Sequence, residues 1–432
     1  MYQHQSQESS QNNPFERDSH ISERGKSIVQ LNPSKLIDIS NITKFNQEKL
    51  IISLDHCIRC NTCKYSYQIF TPSCPSGDKF LWESYFASGR IRIARALLQN
   101  QLQFSNDLIE PIFTCTTCGA CQDSCQAVHK DQIVNIIEAL RELIVKDFGA
   151  PEKHKKLETL IKLEFNPYGE KHSDNSELKN KYQLPDKAEI VYFVGCTSNY
   201  RQKQIRDATI SVFKKLGINF TLIDEHCCGS PLIRTGQLDL VSELMQYNIK
   251  QIESTGAKIV VTSCAGCYKT FKRDFNKFGN YYKFKVKHTS EFLLENFTNN
   301  NFKNISKNIQ NKIRITYHDP CHLGHHLKFY EPPRALIKSI QNLELREMRR
   351  NRENAWCCGA GGGVKIGYPQ FALETAIKRI EEALNTQSSI LVSTCPFCKT
   401  NLNDAYKALS TSKSDSNKIE IIDLIELIDK FL

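Results

Sequence analysis

The chain carries 432 residues, 40% of them hydrophobic, with a formal net charge of +10 and 18 cysteines. That length suggests about three domains with real cores. No apolar run nears the roughly 20 residues a bilayer span needs, and the basic residues are spread without interleaved aromatics, so neither a membrane-spanning chain nor a nucleic-acid binder is expected.

Residues 1–45, rich in Gln, Ser and Asn, read as a poorly ordered arm. Residues 46–149 hold two cysteine runs: Cys57, Cys60 and Cys63 followed by Cys74-Pro75, then Cys115, Cys118, Cys121 and Cys125. The second run has the spacing of a bacterial ferredoxin site, in which three cysteines hold one [4Fe-4S] cluster and the fourth reaches the other. Cys57, Cys60 and Cys63 are therefore paired with Cys125, and Cys115, Cys118 and Cys121 with Cys74. Structural zinc wants two pairs rather than two triplets with two singles. A disulfide scaffold belongs to short secreted chains, and no signal peptide is evident here. Gln126 stands where a proline usually follows the fourth ligand. Between and after the runs, Leu81, Trp82, Tyr85, Phe86, Ile91, Ala94, Leu97 and Leu98, then Ile133, Ile136, Ile137, Leu140, Leu143 and Ile144, recur at helical spacing. An all-helical, ferredoxin-like domain is expected.

Residues 150–187, charged and broken by Asn166-Pro167-Tyr168-Gly169 and Pro185, read as a linker. Two α/β units should follow, over 188–300 and 301–432. Short β-branched runs at 190–194, 258–262, 313–317 and 389–392 lack strict alternation, which suits strands buried on both faces of a parallel sheet. The remaining ten cysteines are one pattern written twice. Cys196, Cys227-Cys228-Gly229 and Cys264-x2-Cys267 recur as Cys321, Cys357-Cys358-Gly359 and Cys395-x2-Cys398, offset by 125 residues from Cys196 to Cys321, 130 from Cys227 to Cys357 and 131 from Cys264 to Cys395. Cys196, Cys264, Cys321 and Cys395 each fall just past the carboxyl end of an expected strand, where open α/β sheets bind ligands. Helical patterns at 268–275 and 401–409 would stabilise thiolates at helix N-termini.

The run Gly359-Ala360-Gly361-Gly362-Gly363 would let backbone approach a bulky inorganic group. Val364 stands where a dinucleotide fingerprint needs its third glycine, and no flavin or nicotinamide site is evident. His226, His318, Asp319 and His322 flank the cysteines; a histidine there could donate a proton, or the group could simply hold loops.

The stretches YFVGCTSNY, EHCCGSPLIRTG, VVTSCAGC, TYHDPCHLG, WCCGAGGGV and STCPFC resemble the cysteine-rich CCG-domain family. From about residue 50 onward the chain resembles that family's heterodisulfide reductase group, specifically its D-type subunits, whose relatives include iron-sulfur subunits of glycolate oxidase and of lactate-utilisation complexes. The resemblance implies an α+α/β chain: a helical domain with two cubane [4Fe-4S] clusters, then two CCG domains. It implies a non-cubane [4Fe-4S] cluster on Cys321, Cys357, Cys358, Cys395 and Cys398, and a second, with zinc as the alternative, on Cys196, Cys227, Cys228, Cys264 and Cys267. The implied activity is reductive cleavage of a small disulfide such as the coenzyme M–coenzyme B heterodisulfide, with these ten cysteines at the catalytic site. The other implied role is electron relay for a flavin-dependent 2-hydroxyacid dehydrogenase or an electron-transfer-flavoprotein complex. Partners would be a b-type cytochrome or a flavoprotein, and the location cytoplasmic, peripheral at the inner membrane face through that partner.

Overall fold

The computed structural model describes residues 54–297, 301, 305, 307, 309–412 and 418–432; the arm expected over 1–45 lies outside them. In the first unit, helices Ala87–Leu98 and Ile133–Phe148 bury the two stripes against each other, Ile91, Ala94 and Leu97 sharing one core with Ile136, Ile137, Leu140 and Ile144. Gly149, at φ 89°, ends the second helix, a backbone geometry that favours glycine. The all-helical expectation is corrected in one place. Strands β1 (Tyr65–Ser66) and β2 (Thr71–Pro72) form an antiparallel ribbon between Cys63 and Cys74, pairing Tyr65 with Pro72 and Ser66 with Thr71. The ribbon reverses the chain so that Cys74 leaves the company of the first three cysteines.

Residues 150–187 differ from the expected irregular linker. They form helices Glu152–Glu164 and Ser176–Tyr182, and Leu157 and Ile161 enter the core of the sheet that follows. The buried stripe of the first helix is His154, Leu157 and Ile161, thin enough to be masked by the charges around it.

The first sheet holds β3 (Ile190–Phe193), β4 (Ile259–Thr262) and β5 (Lys285–His288) in the order β3-β4-β5, all parallel. The second holds β6 (Ile313–Tyr317), β7 (Leu343–Leu345), β8 (Ile390–Ser393) and β9 (Glu420–Asp423) in the order β7-β6-β8-β9, also parallel. A lone parallel bridge from Val191 to Thr221 takes in the first sheet the place that β7 takes in the second. The repeat in the cysteines is thus a repeat in topology.

The halves face each other. Tyr192, Phe213 and Val261 of the first share a core with Ile315, Tyr317 and Val392 of the second. Helix Lys203–Lys215 packs on Leu424–Phe431, and its counterpart Glu331–Lys338 packs on Thr289–Asn296. Reciprocal contacts between equivalent elements are the mark of an isologous interface. Among the described residues no helix is long and apolar enough to cross a membrane.

Candidate metal centres

Eight cysteines of the helical unit separate into two sets. Cys57, Cys60, Cys63 and Cys125 line one cavity with Ala87, Ile91 and His129. Cys74, Cys115, Cys118 and Cys121 line another with Ala87, Arg90 and Ile137. In each run the fourth cysteine has crossed to the other set, and Ala87 lies between them. Backbone amides turn onto the sulfurs: Thr117 N donates to Cys115 Sγ and Ala127 N to Cys125 Sγ, both at 3.4 Å. Gly119, at φ 82°, makes the bend between Cys118 and Cys121.

Burial pushes the Cys63 thiol up to about 11, and raises Cys121 well above the usual thiol range. Cys60 is pulled down by the Thr62 hydroxyl, at 3.3 Å. Buried sulfurs cannot become thiolates together without a cation among them, so four convergent thiols with N–H donors fit a [4Fe-4S] cluster.

The ten repeated cysteines form two chains of neighbouring thiols. In the first half the order is Cys196, Cys227, Cys228, Cys267, Cys264. In the second it is Cys321, Cys357, Cys358, Cys398, Cys395. The two orders correspond residue for residue. Equivalent residues Cys264 and Cys395 join the chains, and Cys357 reaches Cys118 of the helical unit. Hydrogen bonds from neighbouring thiols, then burial, hold Cys227, Cys267, Cys321 and Cys398 well above the usual range. Hydrogen bonds of the same kind hold Cys228, Cys358 and Cys395 well below it. Five neighbouring thiols, four of them buried in each half, fit a polynuclear metal group that takes all five as thiolates.

Strand ends place these cysteines. Gly195, at φ 77°, turns the chain after β3 so that Cys196 opens helix Cys196–Tyr200, and Cys264 caps Ala265–Lys269. Glu225, which carries no signal in the sequence, accepts from Val194 N and Gly195 N at 3.1 Å each, and burial pushes its carboxyl up to about 8. Ligand atoms of His318, Cys358 and Cys398 lie within 4.8 Å of one another. His318 Nδ1 accepts from Arg379 Nε at 3.1 Å, which leaves Nε2 protonated, and Nε2 has no partner among the described residues. Burial and Arg379 depress His318 to about 3, so the ring is neutral. Its counterpart three residues before Cys196 is Phe193. The two cysteine sets match, and their surroundings differ at this position.

His318→Phe should lower the midpoint potential of the second centre. One hydrogen bond to a charged group is worth about 1.5 kcal/mol, or ~60 mV for a one-electron couple. An EPR-monitored redox titration reads it, and an unchanged potential would show that the free His318 Nε2–H gives no hydrogen bond to a cluster held there.

His322 lies beside Gly266 of the other half, its Nδ1 3.5 Å from where a Cβ there would sit. Burial holds it near 3 as well. Asp319 holds a loop: it takes Arg334 at 2.6 and 2.8 Å and Arg352 N at 3.0 Å. His226 lies flat between Phe165 and Tyr247.

The glycine run does less at the metal centre than its sequence implies. Gly359 N does donate to Cys357 Sγ at 3.3 Å. Gly361 and Gly362, however, make room for another loop: a Cβ at Gly362 would lie 2.4 Å from Cys115 O, and one at Gly361 2.8 Å from Thr116 O. These glycines seat the helical unit on the second half. Gly362→Ala should therefore cost at least the ~1–2 kcal/mol of a left-handed non-glycine residue, plus the clash, and thermal unfolding would show it.

Histidines with no motif of their own fasten the same seam. His326 Nε2 pairs with Thr117 O at 2.8 Å, and His325 bridges Asp123 Oδ2 at 2.6 Å and Ala355 O at 3.0 Å.

The 4Fe-4S dicluster domain model matches residues 53–128, and the cysteine-rich domain model matches 190–272 and again 315–403. The D-type subunit of the dihydromethanophenazine:CoB–CoM heterodisulfide reductase of Methanosarcina acetivorans is 37% identical over 416 residues, covering 92% of this chain and 97% of that protein. The EtfAB:quinone oxidoreductase of Syntrophomonas wolfei is 27% identical over 74% of this chain and 46% of its own length. A hypothetical protein from Helicobacter pylori shares the fold, with a TM-score of 0.51 at 10% identity over 91% of this chain and 73% of its own. The chain belongs to the family of cysteine-rich iron-sulfur oxidoreductase subunits that includes the D-type subunit of heterodisulfide reductase.

Proposed function

We propose that this chain is the disulfide-cleaving component of an oxidoreductase complex, with a small disulfide of the coenzyme M–coenzyme B type as substrate. The observation that carries the reading is the meeting of two complete, equivalent five-cysteine sets at Cys264 and Cys395. Two matched five-cysteine sets side by side suit a two-electron cleavage, RS–SR′ + 2e⁻ + 2H⁺ → RSH + R′SH. Iron-sulfur clusters at the four sets would supply one-electron transfers, two cubanes on the ferredoxin-type sets and non-cubane clusters on the repeated sets.

The order of the sets supports one route. Cys60 is exposed, with Ile58 77% and Val128 84% exposed beside its set, so a cytochrome or flavoprotein partner would meet the protein there. Cys118 and Cys357 join the second ferredoxin-type set to the second half, and Cys395 and Cys264 carry the line to the first. His318 and His322 keep neutral N–H donors in the dry space around the thiols.

Cys118→Ala tests this order. Disulfide consumption driven by a low-potential dye should fall more than about 100-fold, beyond the loss of a supporting partner, while the spectroscopic signal of the repeated centres persists. Unchanged turnover would reject the route. The relay role has its own support in the quinone oxidoreductase relative; it expects no disulfide consumption and reoxidation by a flavoprotein instead.

A further inference from the structure

Two imidazoles and a carboxylate gather at the surface beside the first doublet. One ligand atom each from His172, Asp224 and His226 falls within 4.8 Å of the others, and all three residues are part-buried. We infer that these three residues form a mononuclear site for a divalent transition ion, with zinc the best match. Two imidazole nitrogens and one carboxylate oxygen, with a position left open, are a donor set that Zn²⁺ takes in three-ligand sites.

The site is built before any ion arrives. His226 is held flat between two rings, Phe165 at 3.7 Å and 3° and Tyr247 at 3.6 Å and 5°, which fixes the plane of its nitrogens. The His172 ring stands at 84° to it with centroids 5.4 Å apart, and His172 Nε2 is hydrogen-bonded to Asp224 Oδ1 at 2.7 Å, a contact whose proton a bound Zn²⁺ would displace. The other oxygen, Asp224 Oδ2, accepts from Tyr247 OH, so the carboxylate has the outer partner that metal-binding carboxylates usually have.

The backbones are pinned too. Asn248 brackets His226, its Oδ1 taking His226 N at 2.9 Å and its Nδ2 donating to His226 O at 3.1 Å. Glu164 takes His172 N at 3.0 Å, and the intervening turn closes on Asn166, whose Nδ2 donates to Glu164 O at 2.8 Å and Glu170 O at 2.7 Å. Cys227 N donates to Phe165 O at 2.8 Å. An ion here would therefore tie the 164–172 turn to the loop that delivers Cys227 and Cys228, as a clamp rather than an electron carrier.

The test uses anaerobically purified protein with its full iron content, stripped of loose metal and titrated with Zn²⁺ against a competing chelator. The wild type should take up one equivalent, with a zinc-edge X-ray absorption spectrum of nitrogen and oxygen neighbours only. His172→Ala and Asp224→Asn should each lose that equivalent at unchanged iron content, and Tyr247→Phe should weaken it by about tenfold, as for an outer partner. No uptake by the wild type, uptake unchanged in His172→Ala, or a sulfur shell around the zinc would overturn the site.

Discussion

Under the proposed function, Cys358→Ser should abolish disulfide reduction while sparing the signals of both ferredoxin-type centres. Cys358 stands in the middle of its chain of thiols, with Cys357 on one side and Cys398 on the other, and with His318 against both it and Cys398. Both neighbouring thiols favour its thiolate form. A serine hydroxyl in that dry pocket neither deprotonates as a thiol does nor matches a soft metal. Turnover should fall by more than about 100-fold, beyond what losing a supporting residue costs. The ferredoxin-type sets are lined by other residues, so EPR of the reduced variant should retain their signals. Wild-type turnover in this variant would remove the repeated centres from the reaction.

The largest structural effect is expected from Arg141→Leu. Arg141 is fully buried, and its guanidinium ties three parts of the chain together. Nε and Nη2 donate to Ile112 O at 3.3 and 2.8 Å, Nη2 to Cys115 O at 2.6 Å, and Nη1 to Arg234 O at 2.6 Å and Gly362 O at 2.9 Å. One turn earlier on the same helix, Glu138 pairs with Arg234, which also pairs with Asp274. Leucine would leave four carbonyls, three of them in buried contacts, without this donor, each loss worth about 1–3 kcal/mol before relaxation. A destabilisation of about 3–5 kcal/mol is expected, read as a lower denaturant midpoint. Arg141→Lys should recover little, because a single ammonium cannot span the carbonyls that a planar fork reaches. A variant as stable as the wild type would mean that the helical unit is held to the sheets by other means.

The difference between Arg141 and the cysteines explains what is legible in the sequence. Strands β3, β4, β6 and β8 are readable because they are largely buried, which leaves a short apolar run without strict alternation at each, and the cysteine pattern marks their ends. The grouping of Cys125 with Cys57 and of Cys74 with Cys115 is readable because ligand spacing encodes the crossover.

Fastenings are not. Arg141 and Gly362 are 221 residues apart, and nothing local to either announces the other. His325 and His326 look like ordinary polar residues because their partners, Asp123 and Thr117, lie in the other unit. The glycine run does mark a place of close approach, but the approaching group is mostly the Cys115–Thr116 backbone. Helix Glu152–Glu164 hides in its sequence because one of its three buried positions is a histidine, His154.

The most direct measurement is the stoichiometry of disulfide consumption by the wild-type protein, purified anaerobically, checked for iron and zinc, and reduced by a low-potential dye. The two matched five-cysteine sets predict iron at both, little zinc beyond one equivalent, and consumption of the coenzyme M–coenzyme B disulfide with two thiols released for each disulfide lost. Fully loaded protein that leaves the disulfide untouched, while passing its electrons to a flavoprotein or quinone, would contradict the account and make the chain a relay.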